Sequence, residues 1–293
     1  MLKGRIVKGI GGFYYVDIEG KIFECRARGI FRKDKITPLV GDFVKISILD
    51  GEENIGVIEE ILPRKSKLIR PSVANVDQAI IVFSILQPEI NLLLLDKFLV
   101  LAERENLDIS ICLNKIDLAK DESGYEEIVA NYKNSGYKLL LTSYKYPESM
   151  RQLEAVLKGK VNVFAGPSGV GKSSLLNKIN PDLQLKTGEV SKRTLRGKHT
   201  TRHVELLPIG ENSWVVDTPG FSTLNIDFIP EEELANFFPE FKVFYEDCTF
   251  STCRHIDEPK CGIKQALDMG YLAKSRYKSY LQLVEEIRKN RRF

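Results

Sequence analysis

Val161-Asn162-Val163-Phe164-Ala165-Gly166-Pro167-Ser168-Gly169-Val170-Gly171-Lys172-Ser173-Ser174 is the stretch on which the fold turns. Its first five residues read as a buried strand, and Ser174 to Ile179 reads as a helix. Between them, Gly166 to Ser173 matches G-x-x-x-x-G-K-[ST]. Glycines let the loop backbone curl until its N–H groups point at phosphate oxygens, and the helix start adds partial positive charge. Lys172 would then reach the β and γ phosphates of a nucleotide, and Ser173 would ligate Mg²⁺. An accidental glycine-rich turn would lack the strand before it and the helix after it; here both are in place.

Outward from this loop, apolar strands alternate with helical segments from about residue 70, which predicts a parallel α/β sheet with helices on both faces. The candidate strands are Gln78 to Phe83, Asp108 to Leu113, Lys138 to Leu141, Val161 to Ala165, Val204 to Leu207 and Trp214 to Val216. Leu92 to Arg104 and Tyr125 to Asn134 read as helices. Asn114-Lys115-Ile116-Asp117 follows the second strand and matches N-K-x-D. A carboxylate at Asp117 can accept both N1–H and N2–H of guanine, a pair that adenine does not offer. Thr142-Ser143 follows the third strand, and it reads either as a second guanine loop or as an ordinary turn.

Asp217-Thr218-Pro219-Gly220 follows the last strand and matches D-x-x-G, in which the Asp holds Mg²⁺ through water and the Gly N–H senses a γ-phosphate. Gly197 to Arg202 occupies the position of a first switch, where Thr201 is favoured over Thr200 as the Mg²⁺ ligand. Phe221 stands where many GTPases place a water-orienting Gln. His199 then has two readings, one that orients the attacking water and one that binds backbone or RNA phosphate. The guanine motif precedes the phosphate loop, so the motifs of a G domain occur here in circularly permuted order. An ATPase or nucleotide kinase, and an RNA-binding scaffold with a vestigial nucleotide site, are the competing readings.

Two further regions flank this one. Arg5 to Lys8, Phe13 to Ile18, Lys21 to Arg26, Asp42 to Ile48 and Ile55 to Ile61 alternate and are broken by glycine turns, which predicts a five-stranded OB-type β-barrel. After about residue 226 the strand pattern stops and a helical tail runs from Ile263 to the end. Cys248, Cys253, His255 and Cys261 supply three thiolates and an imidazole, a closed tetrahedral set for one structural zinc. Cys25 and Cys112 lie far from it and read as core thiols. The expected domains are residues 1–68, 69–225 and 226–293.

The chain has 293 residues, 43% of them hydrophobic, and a net charge of +3. That length buries a sizeable core and excludes a disordered chain. Six basic residues against one acidic lie between Lys186 and Arg202, and eight against three between Lys264 and Phe293, which suits phosphate-rich partners. No window approaches the roughly 18 apolar residues of a membrane span, and the first residues lack an apolar leader core, so a cytoplasmic protein is expected. Thiols kept for a metal fit the same reducing compartment.

These motifs together resemble the bacterial ribosome small subunit-dependent GTPase A family, known as RsgA, YjeQ or YloQ. The resemblance spans essentially the whole chain. It implies a barrel that contacts ribosomal RNA, slow GTP hydrolysis to GDP and phosphate stimulated by the small ribosomal subunit, and a role in late maturation of that subunit. It also places a histidine before the switch threonines, which supports a catalytic part for His199 beside Thr201 and Lys172. A monomer carrying one zinc, and Mg²⁺ with its GTP, is the expectation.

Overall fold

The computed structural model describes residues 1–29, 31, 36–49, 53–68, 71–186, 204–217 and 224–290. Strands β1 (Leu2–Ile10), β2 (Phe13–Ile18), β3 (Lys21–Ala27), β4 (Phe43–Ile48) and β5 (Ile55–Ile61) close into a barrel in the order β1-β2-β3-β5-β4. Only β3 and β5 run parallel; the other neighbours are antiparallel. Closure removes the free edges of so small a sheet. Ile6, Val16, Val44, Ile46 and Ile58 fill its interior with no exposed surface.

A short ribbon, β6 (Lys67–Leu68) with β7 (Val73–Ala74), leads into the second sheet. That sheet comprises β8 (Gln78–Ser84), β9 (Asp108–Asn114), β10 (Lys138–Thr142), β11 (Val161–Ala165), β12 (Leu206–Gly210) and β13 (Ser213–Val216), in the order β10-β9-β8-β11-β13-β12. Five strands are parallel, but β12 is antiparallel to β13. The sheet is therefore mixed, not parallel throughout as the sequence pattern predicts. Glu211 and Asn212 alone separate β12 from β13, and a two-residue connection can join only antiparallel strands.

Both faces of the sheet are covered, as continuous apolar strands require. Ile81 and Phe83 of β8 pack with Leu95, Phe98 and Leu99 of α1 (Leu92–Arg104), on the same face as α2 (Ser123–Tyr132). Ile80 and Val82 point the other way, to Leu153 of α3 (Pro147–Leu157) and Leu175 of α4 (Lys172–Ile179). Cys25 and Cys112 are buried, as their isolation in the sequence suggests.

Beyond the sheet, two 3₁₀ segments (Glu231–Phe237 and Pro239–Phe244) precede α5 (Gly262–Asp268) and α6 (Lys274–Asn290). The predicted single helical tail is thus two helices. Gly270 takes φ 77°, and Tyr271 N–H donates to the Ala266 carbonyl at 2.9 Å, a left-handed C-terminal cap that ends α5.

Arg276 of α6 binds this module to the sheet. Its guanidinium is 1% exposed and donates to Asp96 of α1 at 2.5 Å and to Glu240 at 2.6 and 3.1 Å. Tyr132 O–H donates to the same Asp96 oxygen at 2.7 Å, and the Phe238 ring lies 4.6 Å from the guanidinium. Removing one partner of such a group strands the others without water. Arg276→Met is expected to lower unfolding free energy by about 3–5 kcal/mol, read from denaturant titration; a loss under about 1 kcal/mol would contradict this picture.

Candidate nucleotide site and metal centre

Five parallel strands put their carboxyl ends along one edge, where the loops that follow β9, β10 and β11 gather and Asp217 follows β13. Gly166, Pro167, Ser168, Gly169, Val170 and Gly171 form the loop after β11, and Lys172, Ser173 and Ser174 open α4. At Gly171 φ is 98°, and a Cβ there would sit 2.5 Å from Asn114 Nδ2, so no other residue fits without displacing the guanine motif. Lys172 donates to the Gly166 and Pro167 carbonyls at 2.9 and 2.7 Å. Burial pulls its ammonium pKa down to about 8. Phosphate oxygens would offer that partly desolvated charge a stronger acceptor than carbonyls.

Asn114 reaches across the end of β8. Its Nδ2 donates to the Val170 carbonyl at 2.8 Å, while its Oδ1 accepts from Thr142 O–H at 3.1 Å. Lys115 takes φ 62° and donates to the Gly169 carbonyl at 2.7 Å, so it too leans on the phosphate loop. Ile116 and Asp117 enter a short 3₁₀ turn. Asp117 accepts from Ser143 O–H at 2.6 Å and pairs with Lys145 Nζ at 2.7 Å. Although burial opposes it, contact with Lys145 and Ser143 holds the Asp117 carboxyl below its ordinary pKa, so it stays an acceptor. Of the two readings of Thr142-Ser143, the contacts favour a loop built onto the guanine motif. Sequence reasoning does not find Lys145; its only signal is its position two residues after Ser143.

Asp217 follows β13, beside the strand that carries the phosphate loop. Its N–H donates to the Glu205 carbonyl at 2.8 Å. Burial first and then the Glu205 charge push its carboxyl up in pKa, and Lys8 opposes them. A carboxylate with a second one, Glu205, beside it suits a divalent cation. His199, Thr200, Thr201, Arg202, Gly220 and Phe221 lie outside the described residues.

Cys248, Cys253, His255 and Cys261 bring their ligand atoms within 4.8 Å of one another. Cys248 and Cys261 sulfurs lie 3.6 and 3.5 Å from His255 Nδ1. Zinc bonds of ordinary length in a tetrahedron set sulfur and nitrogen about 3.5 Å apart, so the donors fit zinc. Outer contacts hold them: Gly262 N–H donates to the Cys248 sulfur at 3.3 Å, Tyr277 O–H donates to the His255 carbonyl at 2.8 Å, and Tyr245 stacks on the imidazole. Burial pushes the Cys253 thiol up to about 12. A cation would offset that burial penalty by favouring thiolate.

The RsgA GTPase family model matches residues 61–227, and the RsgA N-terminal domain model matches residues 3–58. A curated relative from Alkaliphilus metalliredigens, named small ribosomal subunit biogenesis GTPase RsgA, is 56% identical over 100% of both chains. The chain belongs to the RsgA GTPase family. A relative of the same name from Caldanaerobacter subterraneus is 52% identical over 98% of this chain and 96% of its own. Solved structures also match in three dimensions. YloQ, a circularly permuted GTPase, superimposes with a TM-score of 0.84 at 43% identity over 99% of this chain and 96% of its own. YjeQ from Thermotoga maritima gives 0.84 at 39% over 98% of each.

RsgA membership makes the chain a GTP-hydrolysing enzyme with a circularly permuted G domain, and a GTPase of this kind uses Mg²⁺. Among the described residues no helix is long and apolar enough to cross a membrane. For the Cys₃His cluster, elemental analysis of freshly purified protein is expected to give one zinc per chain, and stripping it should lower the thermal midpoint. Metal-free protein with the same midpoint would rule out a structural ion.

Proposed function

We propose that this chain hydrolyses GTP as a switch in late maturation of the small ribosomal subunit, that it docks through rRNA, and that the subunit stimulates hydrolysis. The observation that carries the GTP part is the 2.8 Å hydrogen bond from Asn114 Nδ2 to the Val170 carbonyl, because it ties the guanine motif to the phosphate loop as one cleft. The ribosomal part leans on the names of the relatives and on the barrel surface. There Arg5 and Lys3 lie 4.4 and 5.3 Å from the Phe43 ring, and Arg26 lies 4.6 Å from Phe13. Cations layered on aromatic rings suit RNA backbone and unstacked bases.

Within the site, Asp117 selects guanine through both carboxylate oxygens while Ser143 and Lys145 hold it, and Asn114 fixes the loop. Backbone N–H groups of Gly166 to Ser174 cradle the phosphates and Lys172 bridges β and γ. Ser173, Thr201 and, through water, Asp217 would hold Mg²⁺. When bound, the ion would supply charge neutralisation for the phosphate groups. Gly220 senses the γ-phosphate, and His199 orients the attacking water in place of the glutamine that Phe221 replaces. The zinc is structural. Residues 1–68, 69–225 and 226–293 act as barrel, G domain and zinc module of a cytoplasmic monomer.

Lys172→Ala is expected to lower turnover about 10²–10³-fold while RNA binding persists; RNA binding lost in parallel would mean a folding defect, and turnover retained would favour a vestigial nucleotide site. Asp117→Asn should weaken GTP binding about 100-fold and favour xanthosine triphosphate. No change in base preference would revive the ATPase reading. Purified small subunits should raise GTP turnover, and an unchanged rate would remove the ribosome-coupled part alone.

A further inference from the structure

The barrel and the mixed sheet meet at a row of three charged residues. Lys8 of β1 forms an antiparallel bridge with Glu205. Glu205 in turn stands opposite Asp217, because Leu206 pairs with Val216 and the Asp217 N–H donates to the Glu205 carbonyl at 2.8 Å. Like charges directly opposed across an antiparallel pair repel. Lys8 supplies the missing counter-charge, its Nζ lying 3.1 and 3.0 Å from the two Glu205 oxygens.

A local irregularity in β1 aims that lysine. Ile6 pairs with Val16 and Lys8 with Tyr15, so Val7 is an extra residue, a β-bulge. In a regular strand Lys8 would share the inward face of Ile6, which is wholly buried in the barrel. The bulge turns it out toward the edge of the neighbouring sheet. From there its charge acts on Asp217 as well as on Glu205.

We propose that Lys8 and Glu205 are a charge-matched positioning pair for Asp217, through which the barrel takes part in retaining Mg²⁺ at the GTP site. This rests on the reading of Asp217 as a holder of the ion. Glu205 keeps the Lys8 ammonium off Asp217, and Lys8 keeps Glu205 from repelling it. A partner that lifts the barrel from β12 would unmatch the pair and alter the hold on Mg²⁺. Barrel docking and nucleotide retention are thereby linked without a contact between barrel and nucleotide.

The test is a Mg²⁺ titration of the full chain binding a fluorescent, non-hydrolysable GTP analogue. Glu205→Gln frees Lys8 to pair with Asp217, and the half-saturating Mg²⁺ concentration is expected to rise about three- to tenfold. Lys8→Met/Glu205→Gln removes both charges and should return it to within about twofold of the parent. A joint that is only structural would give the double variant at least the defect of the single one. That result, or a Glu205→Gln protein that titrates like the parent, overturns the proposal. Asp217→Asn separates the two layers. If it leaves the titration unchanged, the reading of Asp217 fails and the pair with it; if it shifts the titration while Glu205→Gln does not, the pair alone fails.

Discussion

The buried Arg276 guanidinium is the contact on which the arrangement of the mixed sheet and the C-terminal module depends. It gathers a carboxylate from α1, another from the 3₁₀ segment Pro239–Phe244, and the Phe238 ring around one charge that has 1% exposure. A charge taken out of water needs several partners at once, and those partners come from both sides of the junction. α1 lies between β8 and β9 in the chain and packs on β8, so Arg276 fixes the zinc module against the sheet that carries the nucleotide loops. The module cannot pivot about that point without stranding Asp96.

Circular permutation gives that anchoring its consequence. In an ordinary G domain the chain runs on from D-x-x-G into the guanine half. Here β8 to β10 come first, and the chain that leaves β13 goes on instead to Ile226, Leu234 and Phe238, which enter the same apolar cluster as Val100 and Leu101 of α1. The zinc module is thus tied twice to the G domain, covalently just after Asp217 and non-covalently through α1.

How much of this is legible in the sequence depends on whether the cause is local. Apolar runs such as Gln78 to Ser84 announce strands buried on both faces, and each motif follows a strand, so the collecting edge can be read before any coordinates. The Cys248 to Cys261 spacing likewise carries its own cause. The antiparallel β12 escapes the pattern because its direction is set by the brevity of Glu211-Asn212, while its apolar residues are the same for either direction. α3 escapes it although Met150, Leu153 and Leu157 are buried along its length, because Glu148, Arg151 and Glu154 interrupt the run. Arg276 reads as one more surface cation on a polar helix; its burial depends on Asp96, 180 positions away.

The same distinction explains the barrel's place. From sequence it is a detachable module, and its alternation says nothing about what its outer face meets. Yet an exposed edge at β12 would offer unpaired backbone next to Asp217, and edge strands are blunted by charge or by cover. Lys8 and Glu205 do both at one residue pair, which makes the bulge at Val7 a feature of the G domain as much as of the barrel. A barrel built only to bind RNA would have no use for a lysine turned toward the sheet. The bulge carries that lysine to Glu205 opposite Asp217, so the charge balance beside the D-x-x-G motif is set from the barrel as well as from the sheet.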